Sequence, residues 1–273
     1  MPDYLDTLIR AVEKADSSLL LQEAVNNLAA ARLEGAIPML IASLSYNNPG
    51  AAVAAVDGLI QIGEPAVPAL LELLDLHNYT ARAWAIRALA GIGDPRGLVT
   101  LLGAATADFA LSVRRAAARG LGMMKWHWFP DDLLEIAQAE AMEALLFVAQ
   151  EDEEWVVRYS AVVGLQFLAD AIAVTYPDWR SQIESQFEQI AVNDESWAVR
   201  ARVLMAQQHQ KAQTVTLKPQ TIDNRPSPLS SMDWQRIMEG LYGRKGQERL
   251  IFAEGDPRRY QELAVAIAQN TDD

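Results

Sequence analysis

One stretch of this chain is written twice, and the repetition restricts what the chain can fold into. "AAVAAVDGLIQIGEPAVPALLELL" (51–74) is followed by "YTARAWAIRALAGIGDPRGLVTLL" (79–102) in nearly the same rhythm. At a spacing of 30, Gly63 overlies Gly93, Pro65 overlies Pro95, Leu59 overlies Leu89 and Pro38 overlies Pro68. Apolar residues recur at helical intervals, as in Ala85, Ile86, Leu89 and Ile92. Glycine ends one helix cheaply, and proline near the start of the next loses no hydrogen bond it needs. A unit of two short helices cannot bury its apolar face alone and must stack on its neighbours.

The unit restarts further along. "SVRRAAARGLG" (112–122), "VVRYSAVVGLQ" (156–166) and "AVRARVLMAQ" (198–207) each repeat the first helix, with Val-Arg pairs at 113–114, 157–158 and 199–200. These pairs lie 44 and 42 residues apart, so the later units carry longer insertions. No segment alternates apolar and polar residues as a half-buried strand does. The expected fold is all-α: a right-handed α-solenoid of about five helix pairs over 1–210, followed by a C-terminal helical extension. The three prolines of 211–230 read as an extended linker, and 231–273 as two or three short helices broken at Gly246 and at Gly255-Asp256-Pro257.

A second spacing lies inside the first. Asp108 precedes Arg114, Asp152 precedes Arg158 and Asp194 precedes Arg200, each by six residues. The pattern resembles HEAT-repeat proteins, and the resemblance implies a ladder of Asp–Arg pairs running from one repeat to the next. Pairing of that kind satisfies charges whose partial burial would otherwise be costly.

Composition removes several function classes. The chain has no cysteine, hence no thiol nucleophile, disulfide or Cys-based metal site. Its three histidines are scattered, so no metal is expected. Glycine-rich phosphate cradles, GxSxG and HExxH are all missing. The acidic, amphipathic N-terminus does not resemble a signal peptide, and no run reaches the roughly 18 apolar residues of a membrane span. A cytoplasmic location without membrane insertion is expected. A net charge of −13 argues against nucleic acid. That charge is uneven: residues 76–130 carry seven basic and two acidic residues, between stretches that are strongly acidic. Such a window attracts a small anion or an acidic protein surface, or else forms a solvated arginine face.

Two places depart from the repeat, and departures of that kind tend to be functional. One is "LHNYTARAW" (76–84), which contains Tyr79; the other is "GLGMMKWHWFPDD" (120–132), where a short turn is replaced by "KWHWFP". Trp126 and Trp128 there either plug a gap or bind a ligand, with His127 between them. Arg87 and Arg119 stand five residues after Arg82 and Arg114, so they fall in register on adjacent repeats. They either grip two carboxylates of a ligand or face water.

The wording of 46–98, 106–126 and 152–166 closely resembles phycobilin lyases of the E/F type, and within them the F-type subunits. The resemblance covers about 10–210 and implies the following. The function is that of one subunit of a heterodimer, paired with an E-type subunit, that attaches phycocyanobilin through a thioether to a cysteine of the phycocyanin α subunit. Related subunits that also isomerise the bilin carry a His-Cys motif, and the missing cysteine implies attachment without isomerisation. The bilin is substrate, and no cofactor is expected. Trp126, Trp128 and Tyr79 become candidates for stacking on it, Arg87 and Arg119 for its propionates, and His127 for the proton donor. Two other classes stay open: a non-enzymatic HEAT protein that binds phycobiliproteins during phycobilisome turnover, and a generic scaffold.

Overall fold

The computed structural model describes residues 2–74, 79–215 and 227–254. The chain divides into two compact units, 1–227 and 228–273. Among the described residues there are thirteen α-helices and no strand.

The first unit begins with α1 (Pro2–Glu13) and continues as helix pairs: α2 (Ser18–Ala30) with α3 (Ile37–Ser43), α4 (Pro49–Ile62) with α5 (Val67–Leu74), and α6 (Tyr79–Ile92) with α7 (Leu98–Ala107). Two longer pairs follow, α8 (Leu111–Gly122) with α9 (Asp131–Glu151) and α10 (Trp155–Ala171) with α11 (Pro177–Asn193). The last helix, α12 (Trp197–Val215), opens a sixth pair. The repeated glycines and prolines have defined local jobs. Gly63 and Gly93 end α4 and α6 at φ of 82° and 68°, a region open to glycine at little steric cost. Pro65 and Pro95 then lie in the 3-10 turns that lead into α5 and α7.

Stacking makes two layers. The first helices pack in the order α2, α4, α6, α8, α10, α12. The second helices follow behind them, α3 on α5 and α7 on α9 on α11, with α5 meeting the turn into α7. Between the layers lies the apolar stripe of each helix, including the fully buried Leu28, Leu40, Leu59, Leu70, Leu89, Leu101 and Leu121. The first-helix layer is drawn tight by small residues. A Cβ at Gly120 would lie 2.7 Å from the Ala90 Cα on α6, and one at Gly122 would lie 2.1 Å from the Gly164 carbonyl oxygen on α10. Only glycine allows backbones to approach so closely.

The second unit contributes one described helix, α13 (Ser231–Glu254). Its start is capped reciprocally: the Asp233 amide donates to Ser230 Oγ at 3.2 Å, and the Ser230 amide donates to the Asp233 carboxylate at 2.9 Å. Two expectations are corrected here. Gly246 does not break the helix, because a single glycine costs only about 1 kcal/mol inside a helix of this length. The stretch 211–215, expected as linker, continues α12. Of the rest of the expected linker, 227–230 are non-helical, while 216–226 and the tail 255–273 lie outside the described residues.

Candidate functional site

Arginines on the first helices fall into two rows with opposite fates. The first row is paired. Arg114 grips Asp152 with two parallel hydrogen bonds, Nε at 2.7 Å and Nη2 at 3.1 Å. Arg158 repeats this on Asp194 at 2.8 and 3.1 Å, and Arg82 meets Asp108. Each arginine therefore holds the aspartate of the following repeat. Two of them also reach back to their own turn, where Arg114 Nη1 donates to the Asp108 carbonyl at 2.9 Å and Arg158 Nη1 to that of Asp152 at 2.8 Å. The six-residue spacing is what allows this reach. Each aspartate in turn accepts an amide two residues on, that of Ala110, Glu154 or Ser196. Hydrogen bonding to these carboxylates raises the Arg114 and Arg158 guanidiniums above their usual range. Arg200, at the same position of the last repeat, has no ion pair among the described residues and lies over the Trp197 ring, 3.9 Å from its centroid.

The second row lines a groove. A cavity of about 820 Å³ runs across the exposed side of α4, α6, α8 and α10 and reaches Ala198 on α12. Small residues (Ala83, Ala90, Gly91, Ala116, Gly120) line its floor, and of these Ala90 and Gly120 pack on each other where α6 meets α8. Its walls carry Arg87 from α6, Arg115 and Arg119 from α8, and the aromatic rings of Trp84, Trp155 and Tyr159. All three arginines are exposed and none has an ion pair among the described residues. Arg87 lies 5.6 Å from the centroid of the Trp84 ring. The one carboxylate in the lining is Asp57 on α4. Three cations, three aromatic rings and one acid, in a cavity of the size that takes extended organic ligands, suit a flat, multiply anionic molecule. Among the described residues no cluster of His, Asp or Glu could hold a metal ion.

The expected site residues are divided by this geometry. Arg87 and Arg119 lie together in the groove. Trp126 and Trp128, the expected stacking residues, do not line it: they are 7% and 5% exposed, in the 3-10 turn Trp126–Trp128. Trp126 packs on Phe129 at 5.3 Å between ring centroids, and Lys125 Nζ lies 4.1 Å from the centroid of Trp128 while pairing with Glu64 at 2.9 Å. The turn is docked by the Lys125 amide, which donates to the Gly93 carbonyl at 2.8 Å. The physical reason is geometric: the longer α8–α9 connection needs bulk to fill the space beside the preceding turn, and both indoles are used for that. His127, the expected proton donor, is exposed on the turn and does not line the groove. The Tyr79 side chain lies outside the described residues.

Sequence reading missed Arg115, Trp84, Trp155 and Tyr159. A signal was present, since Trp84/Arg87, Arg115/Arg119 and Trp155/Tyr159 are spaced three or four apart and so share helix faces. Also missed was Arg202, buried on α12. It donates to Gln166 Oε1 at 2.6 Å, and desolvation pushes its guanidinium below the usual range.

The class of the molecule follows from this architecture: a solenoid of stacked helix pairs tied by an Asp–Arg ladder, with a cationic, aromatic groove on its first-helix layer. The family model for HEAT repeats matches residues 37–122 and 67–166. The phycocyanobilin lyase subunit beta of Pseudanabaena tenuis is 64% identical over 98% of this chain and 99% of its own length. The chain belongs to the family of phycocyanobilin lyase subunits. A second relative, the phycocyanin alpha phycocyanobilin lyase CpcF of a Synechocystis species, is 57% identical over 60% of this chain and 77% of its own. Among solved structures, a chain of the complex of CpcE and CpcF of phycocyanin lyase from a Nostoc species matches with a TM-score of 0.58 and 49% identity, covering 63% of this chain and 98% of that one. No single helix among the described residues is long and apolar enough to cross a membrane.

Proposed function

We propose that this chain is the F-type subunit of a heterodimeric lyase that attaches phycocyanobilin through a thioether to a cysteine of the phycocyanin α subunit, in the cytoplasm and without isomerising the bilin. The observation that carries the reading is near-full-length identity of 64% to a phycocyanobilin lyase subunit. Pairing with an E-type subunit is supported by the likeness to a chain of the CpcE–CpcF complex.

The groove suits the chemistry. Arg87, Arg115 and Arg119 receive the two propionates, Trp84 and Trp155 cover the pyrrole faces, and Asp57 accepts from ring N–H groups. The reaction forms a C–S bond at the ethylidene carbon, and the thiol hydrogen ends on the bilin, so no oxidant or reductant is needed. Bilin is the substrate, and this chain contributes by holding it extended for the incoming thiol. Positioning of that kind contributes several kcal/mol, on the order of 7 or more in favourable cases.

The test is co-expression with an E-type subunit, apo-α-phycocyanin and phycocyanobilin, scored by an acid-stable bilin mass on the acceptor cysteine peptide. The adduct is expected only when both subunits are present, and Arg87→Ala with Arg119→Ala lowers its rate. Efficient attachment by this chain alone, or no adduct with the partner, overturns the reading.

A further inference from the structure

The two layers repeat so regularly that each first helix can be compared position by position with the next. The ladder arginines set the register: Arg82 on α6, Arg114 on α8, Arg158 on α10 and Arg200 on α12. Four residues on stand Ile86, Ala118, Val162 and Leu204. Eight residues on stand Ala90, Gly122, Gln166 and Gln208. In the first three helices several of these positions meet the repeat that follows. Ala90 lies against Gly120, Gly122 and Ala118 lie against Gly164, and Gln166 accepts from Arg202. Ile86, Ala118 and Val162 are all 0% exposed.

On α12 the same positions are open. Leu204 is 53% exposed, and Gln208 is exposed one turn further. Leu204 and Gln208 are thus open at positions that the three preceding repeats bury, and the exposed Trp197 (79%), Ala201 and Met205 flank them at helical spacing. The ladder stops at the same place. Arg82, Arg114 and Arg158 each hold the aspartate of the next repeat, whereas Arg200 has no carboxylate and its buried Nε has no hydrogen-bond partner among the described residues. The Trp197 ring offsets part of that deficit from one side. A stacking face and a ladder cation, both complete in three consecutive repeats, are unsatisfied together in the last.

We propose that α12 is a docking face for the partner lyase subunit, which continues the stack with a helix of its own and supplies the carboxylate that Arg200 lacks. The occupant is defined by chemistry. It carries an Asp or Glu at the turn before a helix, as Asp152 and Asp194 do, and small or apolar residues on the next two turns to cover Leu204 and Met205. A second helix-pair protein meets both requirements. The inference rests on the heterodimer reading given above and assigns a surface to it.

The experiment uses the full chain with a purified E-type subunit. Hydroxyl-radical footprinting of the chain alone should label Trp197 and Met205 strongly, and adding the partner should protect both. Arg200→Glu and Leu204→Asp, measured separately by titration, should each weaken partner binding about thirty-fold or more, the loss expected for disrupting a desolvated charge contact or burying a carboxylate. Neither should shift the melting temperature of the chain alone. Equal labelling with and without partner overturns the proposal. So does protection already present in the chain alone, which would mean that its own residues cover α12. Wild-type affinity in both variants also overturns it, and so does a defect confined to binding of apo-α-phycocyanin. A wild-type chain that fails to bind the E-type subunit removes the heterodimer reading and this inference together. Normal partner binding and ligation by both variants removes only the inference.

Discussion

Two clusters in this molecule pair tryptophan with a cation, and they behave in opposite ways. In the turn before α9, Lys125 lies over Trp128 but is held by Glu64, and both Trp126 and Trp128 are buried. In the groove, Arg87 lies beside Trp84, and neither it nor Arg115 or Arg119 has an ion pair among the described residues. The residue types are the same. What differs is whether the cation already has its anion and whether the ring already has its packing partner. A cluster whose cation is paired and whose rings are packed stabilises the fold, even with both indole N–H groups lacking a hydrogen-bond partner among the described residues, whereas one whose cations have no ion pair keeps their interaction energy for a ligand.

Substitutions can break or sharpen that contrast. The largest effect should come from Trp126→Ala, which empties a buried site and should cost about 4 kcal/mol in chemical denaturation. A full-stability variant with a selective bilin defect would move this turn into the binding site. Next is Asp194→Ala, which strands the buried Arg158 and should cost about 3 kcal/mol, read as a lower denaturation midpoint with an unchanged slope. An unchanged midpoint would show that the ladder holds register without adding stability. Arg119→Ala should leave stability within about 0.5 kcal/mol. It should lower kcat/KM for bilin attachment about tenfold, the loss of roughly 1.4 kcal/mol of charge-assisted hydrogen bonding. Wild-type kinetics there would make the groove arginines a solvated face. The smallest effect should come from Lys125→Met, where a half-exposed ion pair with Glu64 is lost and stability should fall by less than about 1 kcal/mol. Attachment kinetics should not change.

The ladder and the groove also differ in how far they could be read in advance. Asp152-to-Arg158 is a fixed interval along one chain, so the recurring motif is visible without coordinates. That Arg114 binds Asp152, 38 residues away, depends on one repeat being laid on the next. The groove demanded more, because its walls come from α6, α8 and α10 and its floor from residues too small to attract notice. Arg87 and Arg119 were reachable through register, whereas Trp155 and Tyr159 sit on a repeat displaced by a longer insertion. The turn "KWHWFP" misled because its sequence is that of an exposed loop, and exposure is not a local property.

By itself the sequence determined the helix pairs, their boundaries at Gly63, Gly93, Pro65 and Pro95, and the all-α class, because apolar periodicity and turn chemistry act over a few residues and do not wait for distant contacts. The missing cysteine likewise limits the chemistry whatever the fold. Only the tertiary structure decided which arginines are paired, which tryptophans are core, and that Leu204 is open where Ile86, Ala118 and Val162 are closed. Those outcomes depend on which surfaces face one another after stacking, and a side chain's contribution is set by whether water, a neighbour or nothing remains beside it.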